Sequence, residues 1–487
     1  MAARPLRNEP PHPDPLPRRG RGKISAAWLR GVASVVLVAA QVVVIAGCGV
    51  LPFYIRANER LPENEAVPPT RARTTMTVDE LPQGVFVGIA MSGGGSRAAN
   101  FSAALLFELE KLGLLPRYVS ALSSVSGSSL AAGYYGLFAR QPEKWNPDRV
   151  KERLLTDFEA MWITRWFLPH NALRYWFTKF DRSDIMKGVF DRVLFEGKRF
   201  DDMPPDGPRI LLNATALGES GVRFAFTDEK FRNRGSRLDT YPVSHAVMAS
   251  AAFPAAFAAV TLEVYGRGSD GGRYLHVYDG GPADNLGITT LVEDMVRSLY
   301  GADPKPQGCF LFVFDAHTFD PAEQIRGQGE RDPRGLIDFF VDLNALDASS
   351  VLLSKDRRVL LHGAGIDKPG HTPVGRFRIH SRAPLPVELG ECTVWALTFD
   401  RLWELAADAP EARRLELRDL ARTVNRIQTR FLLAGPEGMT PQHLQDALYE
   451  AARVLVWEDR DSLSRACDWF QARRIELAGC AGRGPAR

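Results

Sequence analysis

Between residues 84 and 138 the chain twice runs an apolar strand into a tight turn of small residues and then into a helix. No other feature limits the fold as much. Val85 to Met91 is apolar between flanking glycines, the pattern of a strand buried on both faces of a parallel sheet. Gly93-Gly94-Gly95-Ser96-Arg97 follows. Residues 98–112 then place Phe101, Leu105, Leu109 and Leu112 at helical spacing, with Gly113 as the expected C-cap. Residues 118–125 form a second strand, Ser126 sits at its turn, and Ser128–Phe138 reads as a second helix. Strand–helix–strand–helix in this order predicts an α/β fold with a mainly parallel sheet.

The first turn sets backbone N–H groups at a helix N-terminus, where they have no partner within the helix. Glycine lets another group approach them closely, so the turn suits an anion or oxyanion. It lacks the Lys-Ser/Thr of a phosphate-binding loop, and no dinucleotide fingerprint is present. The second turn approximates the nucleophile elbow G-x-S-x-G. Here it reads Ser124-Val125-Ser126-Gly127-Ser128, with serine in both glycine positions. Ser123, Ser124, Ser128 and Ser129 are therefore rival nucleophiles, and Ser128 is also a candidate helix cap.

Charge narrows the partners. The net charge is +3, but seven basic residues and two acidic ones precede Cys48, leaving 54 basic against 56 acidic beyond it. A nucleic-acid-binding domain is normally basic, so no nucleic-acid partner is expected. Residues 1–22 are rich in proline and arginine and read as a disordered tail. Lys23 and Arg30 then flank the apolar stretch 32–47, which ends Ile45-Ala46-Gly47-Cys48. A basic flank, a short apolar run and small residues describe an export signal. The ending resembles a bacterial lipobox, which makes Cys48 the expected acylated residue. The alternative is an anchor helix, although 16 charge-free residues fall short of the roughly 20 that span a bilayer. Either way the protein is expected at a membrane, on the periplasmic side if Cys48 is lipidated. Among the remaining cysteines, Cys309, Cys392, Cys467 and Cys480, none has metal-ligand spacing. No metal or cofactor is expected. Cys467 and Cys480 can pair if the chain is exported, the alternative being buried thiols.

Further along, 274–278 alternate apolar and polar residues and end in Asp279-Gly280-Gly281. Taken with Gly93-Gly94-Gly95-Ser96-Arg97 and the Ser126 elbow, this resembles the patatin-like phospholipase family, with its G-G-G-x-R loop, serine elbow and D-G-G/A motif. The Ser-Gly-Ser variant is also similar to the elbow of cytosolic phospholipase A2. The stretches 213–216 and 249–257 fit the same resemblance, which covers about residues 85–295. It implies a three-layer α/β/α fold and a Ser126–Asp279 dyad without histidine. It also implies an oxyanion hole from Gly94 and Gly95, shaped by Gly93, with Arg97 adding charge or steadying the loop. The implied substrate is a phospholipid or other acyl-ester lipid.

Two competing readings remain. Asp315-Ala316-His317, after the apolar strand 310–314, offers acid and base for a Ser–Asp–His triad, with His362, His371 and His380 later. A non-catalytic lipid-binding scaffold on the same fold is the other. Residues 161–180 are aromatic and basic, suiting either a membrane interface or an ordinary helix pair. The expected organisation is tail and signal 1–47, linker 48–80, catalytic domain 81–400 and helical extension 401–487. In the extension, Leu417, Leu420, Val424, Ile427 and Phe431 predict one helix ending at Gly435-Pro436. Thr440-Pro441 starts the next. Residues 324–335 read as an exposed glycine–arginine loop.

Overall fold

The computed structural model describes residues 58–63, 67–73, 77–217, 222–254, 256–265, 273–299, 306–318, 357–362, 374–378 and 391–481. The export segment with Cys48, the 324–335 loop, His371 and His380 lie outside the described residues.

In chain order the strands of the main sheet are β1 (Val85–Met91), β2 (Ala121–Val125), β3 (Arg209–Ala216), β4 (Arg223–Ala225), β5 (Val260–Val264), β6 (Arg273–Asp279), β7 (Gly308–Asp315), β8 (Val374–Arg378) and β9 (Glu391–Thr398). They form one sheet in the order β8-β9-β7-β1-β2-β3-β6-β5, with β4 pairing β3. The central five, β9-β7-β1-β2-β3, run parallel, and the flanking strands pair antiparallel. The helices used below are α1 (Gly95–Leu112), α2 (Ser128–Phe138), α3 (Phe158–Trp166), α4 (Pro169–Phe177), α5 (Arg182–Phe190), α6 (Val243–Ser250), α7 (Ile288–Leu299), α8 (Phe399–Asp408), α9 (Glu411–Asn425), α10 (Pro441–Trp457) and α11 (Arg460–Gln471).

Strand β1 shows why three layers form. Successive side chains point to opposite faces. Val85, Val87, Ile89 and Met91 enter a large core with α1, α2 and α10, whereas Phe86 and Ala90 enter a second core with Ile288, Leu291 and Met295 of α7. Helices thus cover both faces, as the apolar run of β1 requires. Gly113 caps α1 in the left-handed region, at φ 91°.

Three local features bear on the site. The C-terminal helices share the large core through Leu417, Leu448 and Phe470. Helix α9 ends at Asn425, so Ile427 and Phe431 lie on a non-helical strap, residues 426–434. The buried side chains of Asn58 and Arg71 fasten part of the expected linker to the domain. Arg71 donates to the Pro208 and Gly136 carbonyls, each at 2.8 Å.

Two disulfides close the fold. Cys467–Cys480 ties α11 to the turn beyond it, and Cys309–Cys392 staples neighbouring strands β7 and β9. The second pair is invisible in the sequence, because 83 residues separate its cysteines and only strand register brings them together. Replacing Cys480 with Ser should lower stability by about 2–3 kcal/mol, since a bridge restricts the unfolded chain. Denaturant unfolding of the oxidised protein and the variant measures this, and identical midpoints would show that the bridge contributes nothing.

Candidate active site

The C-terminal ends of β1 and β2 lie side by side, with Met91 opposite Ser124. The turns that leave them therefore meet. Ser126 has φ 53°, a left-handed conformation that a residue with a side chain rarely adopts. Such strain is the mark of an elbow that thrusts one side chain out of the turn. Ser126 is also the one serine of 123–129 that is not fully buried.

Each rival serine is committed elsewhere. Ser123 Oγ donates to the Gly287 carbonyl at 2.7 Å, and Ser124 and Ser129 share a hydrogen bond of 3.0 Å. Ser128 Oγ bonds the Ser92 carbonyl and Ser102 Oγ, so it ties the two turns together instead of capping α2. This explains the serines in the elbow's glycine positions, since both hydroxyls find buried partners. The steric demand falls on Gly127, where a Cβ would come 2.0 Å from the Gly95 carbonyl oxygen.

The glycine turn lies against the elbow. A Cβ on Gly93 would sit 3.3 Å from the Ser126 Cβ. Gly93 N–H is occupied by the Asn285 carbonyl at 3.1 Å, and Ser96 N–H by the Arg430 carbonyl at 2.7 Å. The amides of Gly94 and Gly95 between them donate to no described residue. Arg97 is buried beneath the turn, where it donates to the carbonyls of Ala316 and Ile427. Burial pulls its guanidinium down to about 10 against the attraction of Asp315. Of its two expected roles, this geometry fits steadying the loop.

Asp279 closes the third side. It ends β6 opposite Ala214, and its buried Oδ1 accepts the Gly281 N–H at 2.7 Å. Oδ2 is buried and lacks a hydrogen bond of good geometry. Burial raises this carboxyl to about 6, opposed by the Gly281 N–H and then by the Ser126 hydroxyl. A carboxylate poised near neutrality with a free oxygen can accept a proton.

Ser250 ends α6 beside both turns. Its Oγ accepts the Ser126 N–H at 3.0 Å and its carbonyl accepts the Gly280 N–H at 3.2 Å. One residue thus holds both halves of the candidate dyad. Its only sequence signal is its place in the small-residue stretch 249–257.

Asp315 serves a different structure. Its buried carboxylate pairs with Arg357, which also binds Asp400 at 2.8 Å, and it accepts the His317 backbone N–H at 3.0 Å. The charge of Arg357 helps to hold Asp315 below the usual carboxylate range despite burial. Burial lowers the His317 imidazole, favouring its neutral form.

Residues 89–292 match the model of the patatin-like phospholipase family, a span that contains the glycine turn, Ser126 and Asp279. This segment is a patatin-like phospholipase domain. Beyond the matched span, β7, β9 and the C-terminal helices complete the sheet and its cover. No curated protein matches the chain significantly. Among solved structures, human GIVD cytosolic phospholipase A2 aligns with TM-score 0.43 and 13% identity, over 80% of this chain and 60% of that one. The same enzyme with methyl gamma-linolenyl fluorophosphonate gives 0.40, at 13% identity over 81% and 60%. VipD from Legionella pneumophila gives 0.25, at 10% identity over 84% and 72%. The chain thus spans about three fifths of the length of the cytosolic phospholipase A2 structures it matches.

Proposed function

We propose that the protein is a lipid acyl hydrolase working through a Ser126–Asp279 dyad. Asp279 accepts the hydroxyl proton as Ser126 Oγ attacks the ester carbonyl carbon. The N–H groups of Gly94 and Gly95 hold the resulting oxyanion. Collapse breaks the ester bond, and the proton passes from Asp279 to the departing alcohol. Water, deprotonated by Asp279, then cleaves the acyl-enzyme and regenerates Ser126. The observation that carries this reading is the strained, partly exposed Ser126 between two uncommitted amides and a buried carboxyl with a free oxygen.

The triad reading loses its acid, because Asp315 is engaged by Arg357 and a backbone N–H. Export and tethering through Cys48 belong to the proposal. Two disulfides support an oxidising compartment.

A fluorophosphonate probe tests the nucleophile. Folded protein should be labelled at Ser126, located by peptide mass spectrometry, and Ser126→Ala should not be labelled. Absence of labelling in the folded protein would favour the lipid-binding scaffold instead.

A further inference from the structure

Helices α3 and α4 form a fixed pair with one bare face. Trp162 faces inward, donating its indole N–H to the Arg182 carbonyl at 3.1 Å and packing on Phe257 at 5.2 Å between ring centres. Asn171 donates to the Arg165 carbonyl at 2.9 Å across the junction, and the Trp166 and Tyr175 rings lie 5.9 Å apart. On the outer side Ile163, Phe167, Leu168, Leu173, Tyr175 and Trp176 are all exposed, Phe167 at 71% and Trp176 at 78%. A contiguous exposed apolar face of this kind marks an interaction site.

Charge indicates what covers it. From 158 to 180 the only acidic residue is Glu159, which is taken by Arg430 at 2.7 Å. Arg165, Arg174 and Lys179 form no ion pair among the described residues. The exposed Arg174 lays its guanidinium over the Phe180 ring at 4.2 Å, which leaves it without a carboxylate partner among the described residues. The neighbouring acids are turned to helix capping: Asp157 accepts the Ala160 N–H and Asp181 the Ser183 N–H, each at 2.8 Å. Tryptophan and phenylalanine ringed by cations match the boundary between acyl chains and anionic headgroups. The N-terminal end of α3 is joined to the candidate site through the strap. Phe158 N–H donates to the Phe431 carbonyl, and the next residue back, Arg430, touches the glycine turn.

We propose that this face docks the protein onto an anionic lipid surface. Phe167 and Trp176 enter the acyl region while Arg165, Arg174 and Lys179 meet the phosphates, which brings lipid to the mouth of the Ser126 site. The purpose of docking rests on the hydrolase reading, but docking itself needs no turnover.

The test uses the full chain carrying Cys48→Ser and Ser126→Ala, with an environment-sensitive fluorophore on Phe167→Cys and, separately, on Trp176→Cys. The four remaining cysteines are paired, so only the new thiol reacts. Leu415→Cys on α9, 67% exposed, is the control. On phosphatidylglycerol–phosphatidylcholine vesicles, emission from 167 and 176 should shift to the blue and be quenched by brominated acyl chains. Position 415 should not respond, and phosphatidylcholine alone should give a weaker shift. Reversing Arg165, Arg174 and Lys179 to Glu should weaken the anionic response about tenfold or more, the sum of several phosphate contacts. In the active chain that reversal should spare hydrolysis of a soluble short-chain ester. Positions 167 and 176 remaining as wet as 415 on vesicles that retain the chain would overturn the proposal. So would a dimer in sedimentation that Trp176→Ser dissolves, which would assign the face to a second copy. Insertion without hydrolysis of any ester would defeat the hydrolase reading alone, and hydrolysis of the short-chain ester without insertion would defeat the docking surface alone.

Discussion

Asp279→Asn and Ser126→Ala should each reduce ester hydrolysis on the order of 10⁴-fold or more, as loss of a nucleophile or its base does. His317→Ala should stay within a few-fold of the unaltered protein. The pH dependence follows from the same carboxyl. With Asp279 at about 6, activity should fall about tenfold per pH unit below that point as the base becomes protonated. Stability runs in the opposite sense. A carboxyl whose folded pKa is raised contributes stability below its unfolded value, near 3.9, and loses that contribution as pH rises through about 6. Burying the ionised form therefore costs roughly 2–3 kcal/mol at pH 8. Asn, which carries no charge, should make the variant more stable than the parent at pH 8, and the difference should vanish near pH 4. Thermal melts at the two pH values and initial rates between pH 5 and 9 measure both effects. An active Asp279→Asn beside an inactive His317→Ala would overturn the dyad.

Gly95→Ala should lower kcat about 10²–10³-fold, the usual effect of displacing one oxyanion donor. Gly95 sits at φ 60°, and an added Cβ would come 2.3 Å from the Arg430 carbonyl oxygen. That oxygen belongs to backbone, so no side chain can swing away, and either the strap or the glycine turn must move. The melting temperature should fall as well. Arg430→Ala is the informative partner, because it keeps the carbonyl that accepts the Ser96 N–H and removes only the pairing with Glu159. It should retain turnover within several-fold. Unimpaired kcat in Gly95→Ala would remove Gly95 from the oxyanion site.

Much of this site is legible along the chain because it is built from strand ends. A run such as Val85–Met91 predicts a buried strand, and the strand's end fixes where the glycine turn must lie. The helices Ser128–Phe138 and Pro441–Trp457 follow their patterns for the same local reason, Thr440 accepting the His443 N–H at 3.2 Å as an N-cap should. The same spacing predicts a helix through 426–431 where the chain forms a strap, because spacing reports which residues are apolar, not which neighbour they meet. Ile427 and Phe431 are apolar at helical intervals, yet Phe431 packs on Phe190 and Phe257 as part of a loop.

Local patterning dictates each strand and helix in turn, the glycine turn, the serine turn and the Asp-Gly-Gly end of a strand, since each of these is read from neighbouring residues. Tertiary structure alone decided which of five serines stays partly exposed, because that depends on what Gly287, Ser92 and Ser250 offer as partners. It decided likewise that Asp315 pairs with Arg357 and that Arg97 braces the turn. Hydrogen-bond satisfaction in a buried site is settled by groups far apart in the chain, and only the folded sheet brings them within reach.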